Sequence, residues 1–203
     1  FYIHPENPQP RLIDQAADLL RSDQLLIYPT DTSYAFGCRL GAKDALEKLK
    51  QIRALDDKHQ FTLLCRDLSE IANYASVDNV QFKQLKAHTP APITFILNAT
   101  KDVPKKLAHP KKKTIGIRVP SNPIAQALLE AMDEPILTSS LILPNRDDIL
   151  DDPFEIEDLL GHQIDGLINA GIKTTKLTTI IDMTSGQPEI IRQGAADVSS
   201  LLL

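Results

Sequence analysis

Apolar residues recur along this chain with both helical and strand spacing, and the pattern predicts an interleaved α/β protein. Helical spacing first occurs at residues 11–21, where Leu12, Ile13, Ala16, Leu19 and Leu20 lie three or four positions apart. Further helices are predicted over 43–53, 68–75, 79–87, from 123 to about 132 and 153–160. Short β-rich runs predict strands at 25–28, 61–65, 93–97, 114–119, 135–139, 166–170, 178–182 and 189–192. Because several strands lack an intervening helix, a mixed, twisted sheet fits better than a purely parallel one.

Composition indicates the size of the domain and the cellular compartment to expect. The 203 residues are 42% hydrophobic, which is enough for the core of one domain spanning 1–203. Neither a basic start with an apolar core nor a run of roughly 18 apolar residues occurs, so we expect a cytoplasmic protein without a membrane partner. Cys38 and Cys65 share no metal-ligand spacing and are interpreted as reduced thiols.

Charge is distributed unevenly along the chain. The net charge is −5, yet residues 101–118 hold seven basic residues and one acid, whereas residues 147–158 hold seven acids and no base. The basic block includes five lysines that are candidates for RNA binding: Lys105, Lys106, Lys111, Lys112 and Lys113. Such a block can steer a polyanion to one face of a protein, but it can equally be a solvated loop.

The segment LLIYPTDTSYAFGC, residues 25–38, is the first candidate for chemistry. Its apolar strand stops at Pro29, and a loop is predicted to follow that carries Thr30, Asp31, Thr32 and Ser33. Hydroxyl groups where a strand meets a loop can hold a small polar ligand, or can simply bond the backbone of the turn.

More polar residues follow at the ends of later predicted strands: Thr94, Arg118, Ser139, Ser140, Thr178 and Arg192. Taken singly, each also has a structural interpretation, such as Arg118 pairing with an acid in the sheet. The sequence contains no phosphate-binding glycine loop, zinc ligand set or GxSxG nucleophile elbow, and its five histidines are scattered.

The order of these residues resembles that of the YrdC/YciO family. YPTDTSYAFGC, residues 28–38, is similar to the family signature YPT-x-T-x-Y-G-L-G, from which only Ala35 and Phe36 depart mildly. Five further motifs follow in the family's order, namely PAPIT at 90–94, TIGIRVP at 114–120, TSSLILP at 138–144, TTIID at 178–182 and IRQGA at 191–195. The resemblance implies an open, twisted α/β sheet with flanking helices around a deep basic cleft.

The resemblance also implies substrates and residue roles. In the best-known family reaction, L-threonine, bicarbonate and ATP with Mg²⁺ give threonylcarbamoyl-AMP, a nucleotidyl transfer used in tRNA modification. No tightly bound metal and no covalent nucleophile are implied. The residues implied to contact the amino acid are Thr30, Thr32, Tyr34, His59, Thr94 and Arg118. Those implied to contact the nucleotide are Arg53, Ser139, Ser140, Thr178 and Arg192.

Two departures place this chain nearer to the YciO branch than to the synthases. The family's K-x-R-P motif aligns with residues 53–56, so Leu55 replaces an arginine and Arg53 replaces a lysine. Ile142 stands where the family has asparagine. A lost charge-assisted hydrogen bond weakens binding by about 1.5–3 kcal/mol, although Lys50 or Lys58 could substitute. Three functions therefore stay open: an altered synthase, a double-stranded RNA or nucleotide binder without chemistry, and a small-molecule binder.

Overall fold

A computed structural model describes residues 1–173 and 176–201. It contains six α-helices within those residues: α1 (Pro10–Arg21), α2 (Lys43–Arg53), α3 (Leu68–Tyr74), α4 (Asn79–His88), α5 (Pro123–Met132) and α6 (Pro153–Leu160). A short 3-10 helix covers Ser199–Leu201. Helix α5 begins as its sequence predicts, because the Asn122 side chain accepts hydrogen bonds from the backbone N–H of Ile124 and Ala125.

Ten strands within the described residues form one mixed, open sheet. They are β1 (Leu26–Pro29), β2 (Tyr34–Arg39), β3 (Thr62–Leu64), β4 (Ala75–Ser76), β5 (Ile93–Ala99), β6 (Thr114–Arg118), β7 (Ile136–Ser140), β8 (Gly166–Leu167), β9 (Thr179–Asp182) and β10 (Glu189–Arg192). Their order is β10-β9-β5-β6-β3-β7-β2-β1-β8, with β4 beside β5. The pairs β1–β8, β3–β6 and β5–β9 are parallel and the other pairs are antiparallel. The predicted mixed α/β sheet with flanking helices is confirmed.

Apolar clusters cover both faces of the sheet. One cluster joins Ile27 and Phe36 to α2 and to the interior of β5, and the other joins Leu26 and Tyr28 to α1 and α5. Neighbouring residues of β1 thus point to opposite faces, as strand geometry requires. The Tyr28 ring lies across β2 so closely that a Cβ on Gly37 would come within 2.8 Å of Tyr28 Cε1. Only glycine fits at this crossing.

The registers show that the face under α5 continues towards β9 as a polar surface. Thr62 lies opposite both Gly116 and Thr138, and Leu64 lies opposite Arg118. Thr94 on β5 lies opposite Ile180 on β9. Since residues opposite one another project to the same side, these strands bring threonines and an arginine to a single face.

The sequence prediction was wrong for two strands. Residues 34–39 form β2, although a loop was predicted after residue 28. Within β2, Tyr34, Phe36 and Cys38 pack on one face, while small residues alternate with them on the other. The pair Ala75–Ser76 forms β4 where a helix end was predicted. The other predicted elements occur, with ends that differ by up to three residues.

Two further features concern the composition of the helices and the state of the thiols. Within residues 1–173 and 176–201, none of the helices has the length and apolar composition that crossing a membrane requires. Cys38 and Cys65 are free thiols and both are buried. Burial raises the pKa of Cys38 to about 12, so this thiol is unreactive near neutral pH.

Candidate active site

A cavity of about 560 Å³, counted to its open mouth, lies over the polar part of the sheet face. It is lined by Arg53, His59, Gln60, Thr62, Thr94, Arg118, Thr138, Ser139, Ser140, Ile142, Thr178, Ile180 and Arg192. Three of these residues are arginines, and no carboxylate occurs among the described lining residues. The predicted basic cleft is therefore present, and its charge favours an anionic ligand.

Arg118 is the most unusual residue of the cavity. Its side chain is only 5% exposed, and Nε and Nη2 have no hydrogen-bond partner among the described residues. Asp31 Oδ2 lies 4.0 Å from Nη2, too far for a hydrogen bond. Burial lowers the pKa of Arg118 from its ordinary value, and the charge of Asp31 partly opposes this effect. A buried cation with two unused donors needs an acceptor from a ligand or from solvent.

Asp31 does not pair closely with Arg118, because its carboxylate accepts hydrogen bonds from the residues at the start of α5. Its carboxylate accepts hydrogen bonds from the backbone N–H of Ser121 at 3.0 Å and of Asn122 at 2.5 Å. The Ser121 hydroxyl donates to it as well, at 3.1 Å. The carboxylate thus gives Arg118 a nearby negative charge without occupying its donors.

A chain of hydrogen bonds links the other side of the cavity. Thr94 Oγ1 lies 3.0 Å from Thr178 Oγ1, and Arg192 donates from Nε to Thr178 O and from Nη2 to Thr178 Oγ1, at 3.0 and 3.1 Å. Burial, and then the positive charge of Arg118, lower the pKa of Arg192. Gly194 allows this arrangement, because a Cβ there would lie 2.5 Å from Thr178 O.

Arg53, the last residue of α2, lines a third side of the cavity. Its Nε donates to Ile142 O at 3.0 Å and its Nη1 donates to Ser139 Oγ at 2.6 Å. Burial lowers the pKa of Arg53 to about 10. Burial and the charge of Arg53 lower the pKa of neighbouring His59 to about 4, so this imidazole is neutral at pH 7. His59 packs edge-on against Phe61, with ring centroids 5.0 Å apart.

The hydroxyl residues of the family signature, Thr30, Thr32 and Ser33, lie in a tight turn beside the cavity. Thr30 Oγ1 donates to Ser33 O at 2.6 Å and lies 3.3 Å from Thr32 Oγ1. Asn122 Nδ2 donates to Thr30 O at 3.2 Å, which ties the turn to the start of α5. Thr30 thus bonds the turn backbone, one of the two roles that its position predicts.

Eight of the eleven small-molecule contacts expected from the sequence line the cavity: Arg53, His59, Thr94, Arg118, Ser139, Ser140, Thr178 and Arg192. Thr30, Thr32 and Tyr34 are not among the lining residues. The Tyr34 hydroxyl donates to Gly171 O at 2.7 Å and accepts from Ala170 N at 3.0 Å, so it anchors the segment after β8. The ligand roles themselves stay predictions.

None of the five predicted RNA-binding lysines lines the cavity within the described residues. Lys105, Lys106, Lys111, Lys112 and Lys113 are exposed in the connection between β5 and β6. A phosphate backbone bound there would contact a different surface from the cavity.

The structure adds four lining residues that the sequence did not single out: Gln60, Thr62, Thr138 and Ile180. Gln60 Oε1 accepts from Thr114 Oγ1 at 2.7 Å, so the start of β6 holds its amide in place. Thr62 and Thr138 meet only through strand register, which single-residue patterns do not reveal. The two-residue spacing between Thr138 and Ser140 on a predicted strand was the one available signal.

The departures from the synthase motifs occupy different environments. Leu55 packs against the apolar cluster and does not line the cavity, whereas Ile142 is one of the lining residues. Neither Lys50 nor Lys58 is among the lining residues, and Lys50 lies 3.8 Å from Glu47 as an ion pair. Within the described residues, no three His, Cys, Asp or Glu side chains group as metal ligands.

The fold is thus an open mixed α/β sheet with an arginine-lined cavity on one face. The family model named for Sua5, YciO and YrdC, described as "Telomere recombination", matches residues 18–194. The chain therefore belongs to the Sua5/YciO/YrdC family, as its motifs predict.

Relatives support this assignment at two levels of similarity. The uncharacterized protein YciO of Escherichia coli K12 is 52% identical over 202 residues, covering 100% of this chain and 98% of that protein. An uncharacterized protein of Haemophilus influenzae is 47% identical over 203 residues, covering 100% and 98%. The crystal structure of E. coli YciO matches with a TM-score of 0.95, 52% identity and the same coverage. P. abyssi Sua5, crystallised with L-threonine, shares the fold, with a TM-score of 0.88, 20% identity and coverage of 99% and 59%.

Proposed function

We propose that the cavity binds L-threonine together with ATP and that the protein forms threonylcarbamoyl-AMP from them and bicarbonate. The observation that carries this proposal is Arg118, a buried guanidinium whose Nε and Nη2 have no partner among the described residues. These two nitrogens lie on one edge of the guanidinium, the arrangement that binds both oxygens of a carboxylate. Family membership supports the choice of an amino acid as the source of that carboxylate.

The amino-acid end of the site would use Arg118 and Thr94. Both side chains line the cavity, and both are nearly buried. A carboxylate there is screened little by solvent, so its pairing with Arg118 is stronger than on the surface. The Thr94 hydroxyl, already 3.0 Å from Thr178 Oγ1, lies between this end and the arginine of β10.

The nucleotide end would use Arg192, Ser140 and Thr178. Arg192 is half-buried and fixed by two hydrogen bonds to Thr178, so its charge is positioned before a phosphate arrives. Arg53 contributes charge at this end, although it already donates to Ser139 and Ile142. Since the described lining residues include no carboxylate, Mg²⁺ would be held by the phosphate oxygens of ATP.

The reaction needs positioning more than a protein nucleophile. The amine of L-threonine adds to bicarbonate with loss of water and gives a carbamate. A carbamate oxygen attacks the α-phosphorus of ATP, the bond between the α- and β-phosphates breaks, and pyrophosphate leaves. Negative charge develops on the phosphoryl oxygens, and cations held in place stabilise it.

The test is direct detection of the product. The purified protein is incubated with ATP, Mg²⁺, bicarbonate and L-threonine, and the adenylate and pyrophosphate are quantified. We expect both products, and we expect Arg118→Lys to lose most of the activity because an ammonium replaces a two-pronged contact. Arg66→Lys is the matched control, because Arg66 is paired with Asp133 outside the cavity. A folded protein that forms no adenylate above the enzyme-free background would overturn the synthase proposal.

A second candidate function is binding of double-stranded RNA, favoured by the five exposed lysines between β5 and β6. Duplex RNA is bound mostly through shape and phosphate contacts, and that binding weakens as salt rises. Replacing Lys111, Lys112 and Lys113 with alanine should weaken binding and flatten its salt dependence. Binding that is absent at low salt, or unchanged by salt, would reject this candidate.

A further inference from the structure

The cavity contains one short hydrogen bond that the family motifs do not explain. The Tyr28 hydroxyl and Thr138 Oγ1 lie 2.5 Å apart. Thr138 lines the cavity, whereas Tyr28 is fully buried beneath α5 and reaches Thr138 across β2. The position of the ring is fixed, because it lies directly across Gly37.

The direction of this hydrogen bond follows from what each hydroxyl contacts. Within residues 1–173 and 176–201, the Tyr28 hydroxyl has Thr138 as its only hydrogen-bond partner. If Thr138 donated, the phenol proton would be buried without an acceptor, at a cost of about 1–3 kcal/mol. Tyr28 therefore donates and Thr138 Oγ1 accepts.

The Thr138 hydroxyl can then donate its proton to a ligand in the cavity. Thr138 is 5% exposed and, like Arg118, projects from the polar sheet face. Thr138 and Arg118 line the same cavity, and a hydroxyl donor and a guanidinium together suit an anionic ligand whose carboxylate or phosphate oxygens accept from both. Had the hydrogen bond run the other way, Thr138 would offer lone pairs that repel such an oxygen.

We propose that Thr138 is a ligand-binding donor for the anionic group of the substrate and that Tyr28 is the positioning residue that turns its proton into the cavity. This inference rests on the proposed function, since it assigns a donor to the anion held beside Arg118. Charge-assisted hydrogen bonds are the stronger class, and losing one weakens binding by about tenfold or more.

The experiment is a titration of the full chain with L-threonine, and separately with ATP and Mg²⁺, by calorimetry. Four single variants are compared: Thr138→Val, Thr138→Ser, Tyr28→Phe and Tyr74→Phe. We expect about tenfold weaker binding of at least one ligand for Thr138→Val, near wild-type binding for Thr138→Ser, and an intermediate loss for Tyr28→Phe. Tyr74→Phe is the control: it also removes a tyrosine hydroxyl, but from a half-buried residue that is not among the cavity lining.

A double variant separates positioning from simple loss of stability. If Tyr28 acts through Thr138, the removal of its hydroxyl from Thr138→Val should weaken binding no further, so the two effects are not additive. Additive losses, or equal losses for Tyr28→Phe and Tyr74→Phe, would overturn the positioning role. Wild-type affinity in Thr138→Val would overturn the donor role while leaving the proposed function intact. A wild-type protein that binds neither ligand would overturn both.

Discussion

Replacing Arg118 with methionine distinguishes a ligand-binding arginine from a structural one. If Arg118 serves mainly as the counter-ion of Asp31, its removal leaves an unpaired buried charge, and loss of one partner of such a pair costs 3–5 kcal/mol. If it is kept for a ligand, its removal relieves an unfavourable burial and abolishes binding. The two explanations predict different stabilities for the same variant.

The structure allows the balance to be worked out. At the 4.0 Å separation of Arg118 and Asp31, the attraction is about 4 kcal/mol at an effective dielectric constant of 20. Opposing it are two buried donors without partners, at about 1–3 kcal/mol each, and the cost of burying the ion itself, several kcal/mol more. Asp31 keeps its three donors from Ser121 and Asn122. We therefore expect Arg118→Met to lower the free energy of unfolding by less than about 1 kcal/mol, or to raise it.

Urea unfolding followed by circular dichroism measures this change, and a thermal-shift titration with L-threonine measures binding on the same samples. In a chain of this size, 1 kcal/mol corresponds to about 2–4 °C in Tm. Arg53→Met is the control, because Arg53 is a half-buried arginine of the cavity wall that makes two hydrogen bonds, and the variant should lose about 2 kcal/mol. A loss of 3 kcal/mol or more in Arg118→Met would refute the reasoning and make Arg118 a structural counter-ion.

Three further outcomes are expected. The pKa of His59 is about 4 in the folded protein, whereas its ordinary value is 6.5. Between these pH values the unfolded chain binds more protons than the folded one, so the free energy of unfolding should fall by about 1–2 kcal/mol as pH drops from 6.5 to 4. Urea unfolding at pH 7 and pH 5 should show this loss in wild type and in His162→Asn, an exposed control, but not in His59→Asn. Replacing the five exposed lysines with alanine should weaken RNA binding and leave L-threonine affinity unchanged, and a parallel loss of both would contradict separate surfaces. Leu55→Arg should not tighten ATP binding in calorimetry, because residue 55 packs against the apolar cluster; a gain would contradict that placement.

Much of the fold could be predicted from local spacing. The helices α2 and α6 match their predicted ranges to the residue, since their apolar faces and Pro153 mark them clearly. Strand β2 was missed because Ala35 and Gly37 interrupt its apolar run. Those small residues are required only because the Tyr28 ring and the helices beyond it pack there, which is a tertiary constraint.

For the candidate site, too, the sequence predicted some features and could not predict others. Motif order identified eight cavity residues, including Arg118 and Arg192, because polar residues at strand ends stand out against apolar runs. It could not show that Asp31 serves the start of α5, or that Arg53 donates to Ser139 and Ile142. These contacts join residues about 90 positions apart, and only chain packing sets their distances.

The sequence by itself determined the family, the mixed α/β class and the residue types of the cleft, because local periodicity and motif order are properties of the chain. The tertiary structure alone decided which donors remain for a ligand. The availability of a hydrogen bond depends on every neighbour of the group, and Arg118, Asp31 and Thr138 acquire their neighbours only when distant strands and α5 come together. The signature hydroxyls show the contrast: they identify the family, yet Thr30 bonds its own turn, while the arginine-lined cavity depends on residues from β6 and β7.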